Sequence, residues 1–138
     1  MKQVNKQEKL EKIAQKYGLE LILLFGSRAE KKFLHRESDF DIAYLAKRNF
    51  DLGEELRLAG DMASVFKSEN IDLVNLKIAG PLLAHQIFKN HKILFYRNLI
   101  TYHIYRIYAE RKYEEANPLF KLQKELIKNF LSKHKKYA

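Results

Sequence analysis

Asp39 and Asp41, in the run Ser38-Asp39-Phe40-Asp41-Ile42, are the two side chains of this sequence best spaced for chemistry. In an extended strand, residues two apart project to the same face, so both carboxylates point the same way. Adjacent carboxylates repel, and each raises the other's pKa unless positive charge sits between them. A divalent cation meets that need. Mg2+ takes oxygen ligands, keeps several waters and is commonly held by one or two carboxylates together with substrate phosphates. A third acid, Asp72, interrupts the apolar run Ile71-Asp72-Leu73-Val74, where an unpaired charge is costly to bury. Beside Asp39 and Asp41 it would complete a site for two metal ions and take the proton from an attacking hydroxyl.

A fourth element precedes these acids. Gly26-Ser27-Arg28-Ala29 directly follows the apolar run Leu19 to Phe25. Glycine lets the backbone come close to a ligand, and the following turn can aim free N–H groups and the Ser27 hydroxyl at a phosphate. Arg28 has two readings, a phosphate contact or a surface arginine capping its own turn. Each piece taken alone is weak, since Gly-Ser is common in turns and Asp-X-Asp on solvated edges. Their order, each at the end of an expected strand, is what makes the set specific.

The elements that must position these residues follow from periodicity. Leu10, Ile13, Ala14 and Tyr17 predict a helix over 5–17, with Gly18 as its stop. Leu19 to Phe25 reads as a central strand covered on both faces. A short helix or turn is expected around 27–34, and Asp39 to Leu45 as a second strand. Leu52, Leu56, Ala59, Ala63 and Phe66 predict the inward face of a helix over 52–67. Ile71 to Lys77 forms a third strand, Pro81 opens a helix running to about Asn90, and Ile93 to Tyr96 forms a short edge strand. Beyond Asn98 the pattern is helical. Ile100, Ile104, Ile107 and Tyr108 share one face, while Asn117-Pro118 reads as the cap and first turn of a last helix. That last helix would turn Leu119, Leu122, Leu126 and Phe130 inward. The fold class is α/β (α+β): a small mixed sheet with packed helices and a helical C-terminal appendage. Residues 1–138 are expected to form one domain, with a core over about 10–97 and appended helices over about 98–136.

Leu24-Phe25-Gly26-Ser27-Arg28-Ala29, Glu37-Ser38-Asp39-Phe40-Asp41-Ile42-Ala43 and Ile71-Asp72-Leu73-Val74 together resemble the signature of the DNA polymerase β-type nucleotidyltransferase superfamily. The short chain is most similar to its minimal nucleotidyltransferases, the MNT antitoxins paired with HEPN-domain toxins. The resemblance covers roughly residues 10–95. It implies that Gly26 and Ser27, with Arg28, hold the triphosphate of ATP, that Asp39 and Asp41 bind Mg2+, and that Asp72 is the third carboxylate. It further implies a tyrosine hydroxyl of the toxin as acceptor of AMP, with loss of the toxin's ribonuclease activity. Glu30-Lys31-Lys32 departs from the small residue or glycine that many relatives carry after Gly-Ser-Arg-Ala.

Composition narrows the alternatives. The chain has 138 residues, 46% hydrophobic and 31% charged, with five glycines, two prolines and no cysteine. Disulfides and cysteine-based zinc sites are excluded, and a reducing compartment is expected. The N-terminus lacks the apolar core of a secretion signal, and Leu21 to Phe25 is too short to span a bilayer, so a cytoplasmic protein is expected. A net charge of +9 suits triphosphate, nucleic acid or an acidic partner alike. Aromatic and basic residues do not interleave on a nucleic-acid platform, which ranks that class last. His35, His85, His91, His103 and His134 lack metal-ligand spacing and read as surface or packing residues. Tyr102, Tyr105 and Tyr108 form a band that packs on the domain or, second, meets a partner; Lys133, Lys135 and Lys136 read as a solvated end. A small-molecule acceptor such as an aminoglycoside, or neutralisation of a partner by occlusion alone, are the competing functions.

Overall fold

The computed structural model describes residues 5–26, 29 and 39–134; Ser27, Arg28 and the turn or helix expected over 27–34 lie outside the described residues. Four strands form one sheet in the order β3-β2-β1-β4, where β1 is Leu19–Phe25, β2 Phe40–Ala46, β3 Ile71–Asn75 and β4 His91–Tyr96. The central strand β1 runs antiparallel to both β2 and β4, and β3 lies parallel to β2. Parallel pairing of β2 and β3 requires a crossover, which α2 (Leu52–Phe66) provides.

The helices cover the two faces. On one, α1 (Lys6–Tyr17) and α2 bury Leu10, Ile13, Leu58 and Met62 against Leu19, Ile22 and Leu24 of β1 and Ile42 and Tyr44 of β2. On the other, α3 (Pro81–Lys89) and the start of α4 (Leu99–His134) bring Ile87 and Tyr102 against Leu21, Leu23, Ala43 and Leu45. The near-continuous apolar sequence of β1 is thus explained by helices on both sides. Helix α1 is capped as expected: the Asn5 side chain accepts from the Glu8 amide at 2.7 Å, and Gly18 ends it in the left-handed conformation at φ 65°.

Three sequence expectations are corrected. First, α2 buries Leu58, Met62 and Val65, while Leu52 and Leu56 are 75% and 64% exposed. The helix carries a second apolar stripe, Leu58, Met62 and Val65, and it is this one that enters the core, with Phe66 of the expected stripe packed partly against it. Asp61 Oδ2 accepts from the Tyr17 hydroxyl at 2.6 Å and from Lys16 Nζ at 2.9 Å, which ties α2 to α1. Burial works to raise the Asp61 pKa, but these two bonds outweigh it and hold the carboxyl below its ordinary value.

Second, no break occurs at Asn117-Pro118. One 36-residue helix, α4, runs from Leu99 to His134 with Pro118 inside it. The proline removes one helical donor and leaves the Glu114 carbonyl without its partner. Both residues are exposed, so water can meet that carbonyl. Third, Leu119, Leu122, Leu126 and Phe130 do not face inward; they are 57%, 50%, 58% and 59% exposed. Of the tyrosine band, Tyr102 is buried and Tyr105 half-buried, whereas Tyr108 is exposed. The strand and helix ends expected from sequence are off by a residue or two: β2 begins at Phe40 and β3 stops at Asn75. None of the helices among the described residues is long and apolar enough to cross a membrane.

Candidate active site

Strand register draws one transverse row across the sheet. Asp72 of β3 pairs with Asp41 of β2, Asp41 with Phe25 of β1, and Phe25 with His91 of β4. Residues directly opposite each other in a sheet share a face. That face is the one covered by α3 and α4, since Val74, Ala43 and Leu23, each two residues along from a member of the row, pack there. The row marks the end of the sheet where β1 stops and where β2 and β3 begin. Asp39, immediately before β2 and exposed, sits at the same end.

Gly26 closes the turn after β1 with φ 75°, a left-handed conformation that side chains other than glycine adopt only at a cost. Its Cα lies directly beneath the Asp41 carboxylate. A Cβ on residue 26 would collide with Oδ2 of Asp41 and stand 3.2 Å from its Cγ. The glycine therefore serves two purposes, the turn itself and the space that the carboxylate occupies.

The electrostatics match this placement. Asp41 is half-buried, and its pKa is raised above the ordinary carboxylate value, first by burial and then by the charges of Asp72 and Asp39. The charges of Asp72 and Asp39 thus both reach Asp41 at one end of the sheet. Among the described residues, no three acidic or histidine side chains converge as a ready-made metal cage. A partial set of carboxylates is nonetheless the arrangement that suits Mg2+, because waters and substrate phosphates supply its other ligands. The mutual repulsion felt at Asp41 is what such a cation would relieve. Asp39, Asp41 and Asp72 are the residues that fit it, and the cation would supply charge neutralisation between them and a triphosphate.

Sequence reasoning overlooked the place of His91. Its Nδ1 lies 3.0 Å from the Phe88 carbonyl oxygen and its Nε2 2.7 Å from the Tyr102 hydroxyl. Burial, more than any neighbouring charge, lowers the pKa of this imidazole, and Arg106 adds to the effect. His91 reads correctly as a packing residue, yet it occupies the same row as the acids, with Phe25 between it and Asp41. The sequence reading begins the edge strand at Ile93, so His91 falls outside it, and its place in the row depends on β1–β4 register.

Comparisons with known proteins agree with the geometry. Residues 8–99, more than half of the chain, match the family described as Polymerase beta, Nucleotidyltransferase. A protein adenylyltransferase, MntA of Shewanella oneidensis, is 40% identical over 77 residues, which are 56% of this chain. Those residues span about half, 54%, of that relative's own length. Among solved structures, a toxin–antitoxin crystal structure with AMP-PNP contains a chain that is 28% identical, with a TM-score of 0.69 and coverage of 91% of this chain and 98% of that one. A complex of tri-AMPylated Shewanella oneidensis HEPN toxin with MNT antitoxin contains a chain that is 26% identical, with a TM-score of 0.68 and coverage of 91% and 96%.

Proposed function

We propose that this chain, which belongs to the polymerase beta nucleotidyltransferase family, transfers AMP from ATP to a hydroxyl of a partner protein, a HEPN-type toxin, and thereby neutralises it. The observation that carries the proposal is the row Asp72–Asp41 with Gly26 beneath it and Asp39 beside it. The adenylyltransferase name of the 40%-identical relative and the AMP-PNP and AMPylated-toxin complexes of the structural neighbours support the same reading. A tyrosine hydroxyl is the proposed acceptor, and the chain is proposed to act as one nucleotidyltransferase unit in the cytoplasm.

The chemistry assigned to these residues is in-line displacement. Gly26, Ser27 and Arg28 hold the triphosphate, and Asp39, Asp41 and Asp72 would hold Mg2+. The acceptor oxygen attacks the α-phosphorus, a new P–O bond forms, and the bond to pyrophosphate breaks. Asp72 takes the acceptor's proton. Mg2+, proposed as two ions, would supply neutralisation of the triphosphate and of the developing charge when bound.

Release of pyrophosphate from ATP, followed with and without the partner and with and without Mg2+, tests the proposal. Release that needs both, and that is lost in Asp39→Asn and Asp41→Asn, is the expected result. Release indifferent to the cation would overturn the metal assignment, and a partner inhibited without any release would favour occlusion.

A further inference from the structure

Helix α3 crosses its sheet face obliquely. It starts at Pro81, beyond the end of β3, and leads to His91 at the start of β4. Asp72 near the start of β3 and His91 stand in one row, so α3 begins and finishes at opposite ends of the sheet. Between them Ile87 is fully buried against Leu21, Leu23, Ala43 and Leu45. At about 100° per residue, Ala84, Phe88 and Pro81 fall about 60–120° to one side of Ile87, and Leu83 and Gln86 about 40–100° to the other. Neighbours identify the first side. Pro81, Ala84 and Phe88 line, with Leu76, Tyr105 and Tyr108, a cavity of about 400 Å3 between α3, α4 and the end of β3. The second side therefore faces away from α4, toward the corner of the sheet where β2 and β3 begin and where Asp41 and Asp72 stand. That corner is open: Asp72 and Gln86 are exposed, and Leu83 is 41% exposed.

This flank of α3 carries an alkyl group and an amide but no charge. Of the ionisable residues of the helix, His85 stacks on Tyr113 with ring centroids 3.6 Å apart. Lys89 falls about 160° from Ile87, on the outer face. Phosphates seek cations and free N–H groups, which the flank does not offer. A nucleotide whose α-phosphorus sits at Asp41 extends two ways. Its pyrophosphate end goes to the Gly26 turn, beyond the end of β1, and its nucleoside goes back over the sheet face, where the flank stands. A purine has apolar faces and a hydrogen-bonding edge. In adenine the 6-amino group donates and a neighbouring ring nitrogen accepts, and one carboxamide answers both with its oxygen and its NH2. We propose that Leu83 and Gln86 form the base-reading wall of the active site, Leu83 against the purine face and Gln86 paired with the adenine edge through its 6-amino group. This rests on the reading of the chain as a transferase that uses ATP, and adds which residues select the base.

Binding of ATP and of purine riboside triphosphate, which lacks the 6-amino group, is measured by calorimetry on the full chain with Mg2+ and without a partner. The unaltered chain is expected to prefer ATP about tenfold, and Gln86→Ala and Gln86→Leu to bring that preference to within about twofold. Gln86→Leu keeps the bulk of the side chain and removes only its amide, so it separates base reading from packing. Leu83→Ala should weaken both nucleotides alike, by about fivefold, and leave their ratio intact. Circular dichroism should be unchanged in all three, since both positions are exposed. A preference for ATP that survives both Gln86 variants overturns the inference, as does an unaltered chain that binds the two nucleotides equally. Variants with normal nucleotide binding but a raised Kd for a HEPN-type partner also overturn it, and assign the flank to the acceptor. A chain that shows the expected discrimination yet transfers no AMP supports the inference and counts against the proposed function alone. A chain that binds neither nucleotide overturns both.

Discussion

The Asp41 carboxylate rests on the bare Cα of Gly26, in space that any Cβ at that position would fill. Gly26 directly follows β1 and Asp41 lies near the start of β2, so the turn and the acid are built as a unit. Gly26→Ala is expected to lower stability by roughly 1–3 kcal/mol, since it forces a side chain into a left-handed backbone and against the carboxylate. It should also cut transfer more deeply than that loss explains, because Asp41 must move. Thermal melts alongside single-turnover transfer at a temperature where the variant is fully folded check both. An alanine variant with normal stability and normal transfer would contradict the packing described.

Asp41→Asn should stabilise the apo protein while abolishing transfer. The raised pKa means that the folded state binds its proton more tightly than the unfolded chain does. That preference favours folding at low pH and is lost as pH rises through the folded pKa, so the ionised carboxylate weighs against folding at neutral pH. Solvent screening at this half-buried site keeps the gain on removal below about 1 kcal/mol, a rise of a few degrees in Tm. The difference from the unaltered protein should shrink on acidification. An apo variant that melts lower at pH 7 would show that the charge is already compensated.

Much of this site could be read along the chain and some of it could not. The Asp39–Asp41 spacing and the glycine after β1 are local features, and the structure brings Asp41, Asp72 and Gly26 together, although Asp72 is exposed rather than buried in its apolar run. His91 was missed because its place depends on β1–β4 register, which is set by partners distant in sequence. The rotation of α2 is ambiguous along the chain because Leu52-Leu56 and Leu58-Met62 offer alternative stripes, and the choice depends on what α1 and the sheet present to the helix. Asn117-Pro118 carries a strong capping pattern, yet on an exposed helix the carbonyl left without its donor can be met by water. Periodicity marks a helix face as apolar without revealing whether the same chain covers it, and so Leu119 to Phe130 were turned inward in the sequence reading.

Stability should fall on mild acidification for a reason specific to His91. Its folded pKa is depressed, chiefly by burial, so below the ordinary histidine value of 6.5 the unfolded chain takes up a proton that the folded one resists. The loss begins as pH drops through that value and ends at the lower folded pKa. His91→Gln should flatten the dependence of Tm on pH between about 7 and 5. An unaltered slope in that variant would place the titration elsewhere.

Pro118→Ala tests the continuity of α4. Proline inside a helix costs up to about 3 kcal/mol relative to alanine, but here the affected turn is solvated and remote from the core. Helical ellipticity should therefore rise, with global Tm nearly unchanged. Helicity unchanged or reduced would indicate that the chain breaks at Asn117, as its capping pattern reads.

Transfer of AMP to a partner hydroxyl, with Asp72 taking the proton, can be weighed: the chain is incubated with ATP, Mg2+ and a HEPN-type partner, and the partner's intact mass is then measured by mass spectrometry. The expected result is a mass gain in whole AMP units that Asp72→Asn slows by on the order of 100-fold or more, while sparing ATP binding. A partner of unchanged mass, or an Asp72→Asn variant that transfers at the normal rate, would contradict it.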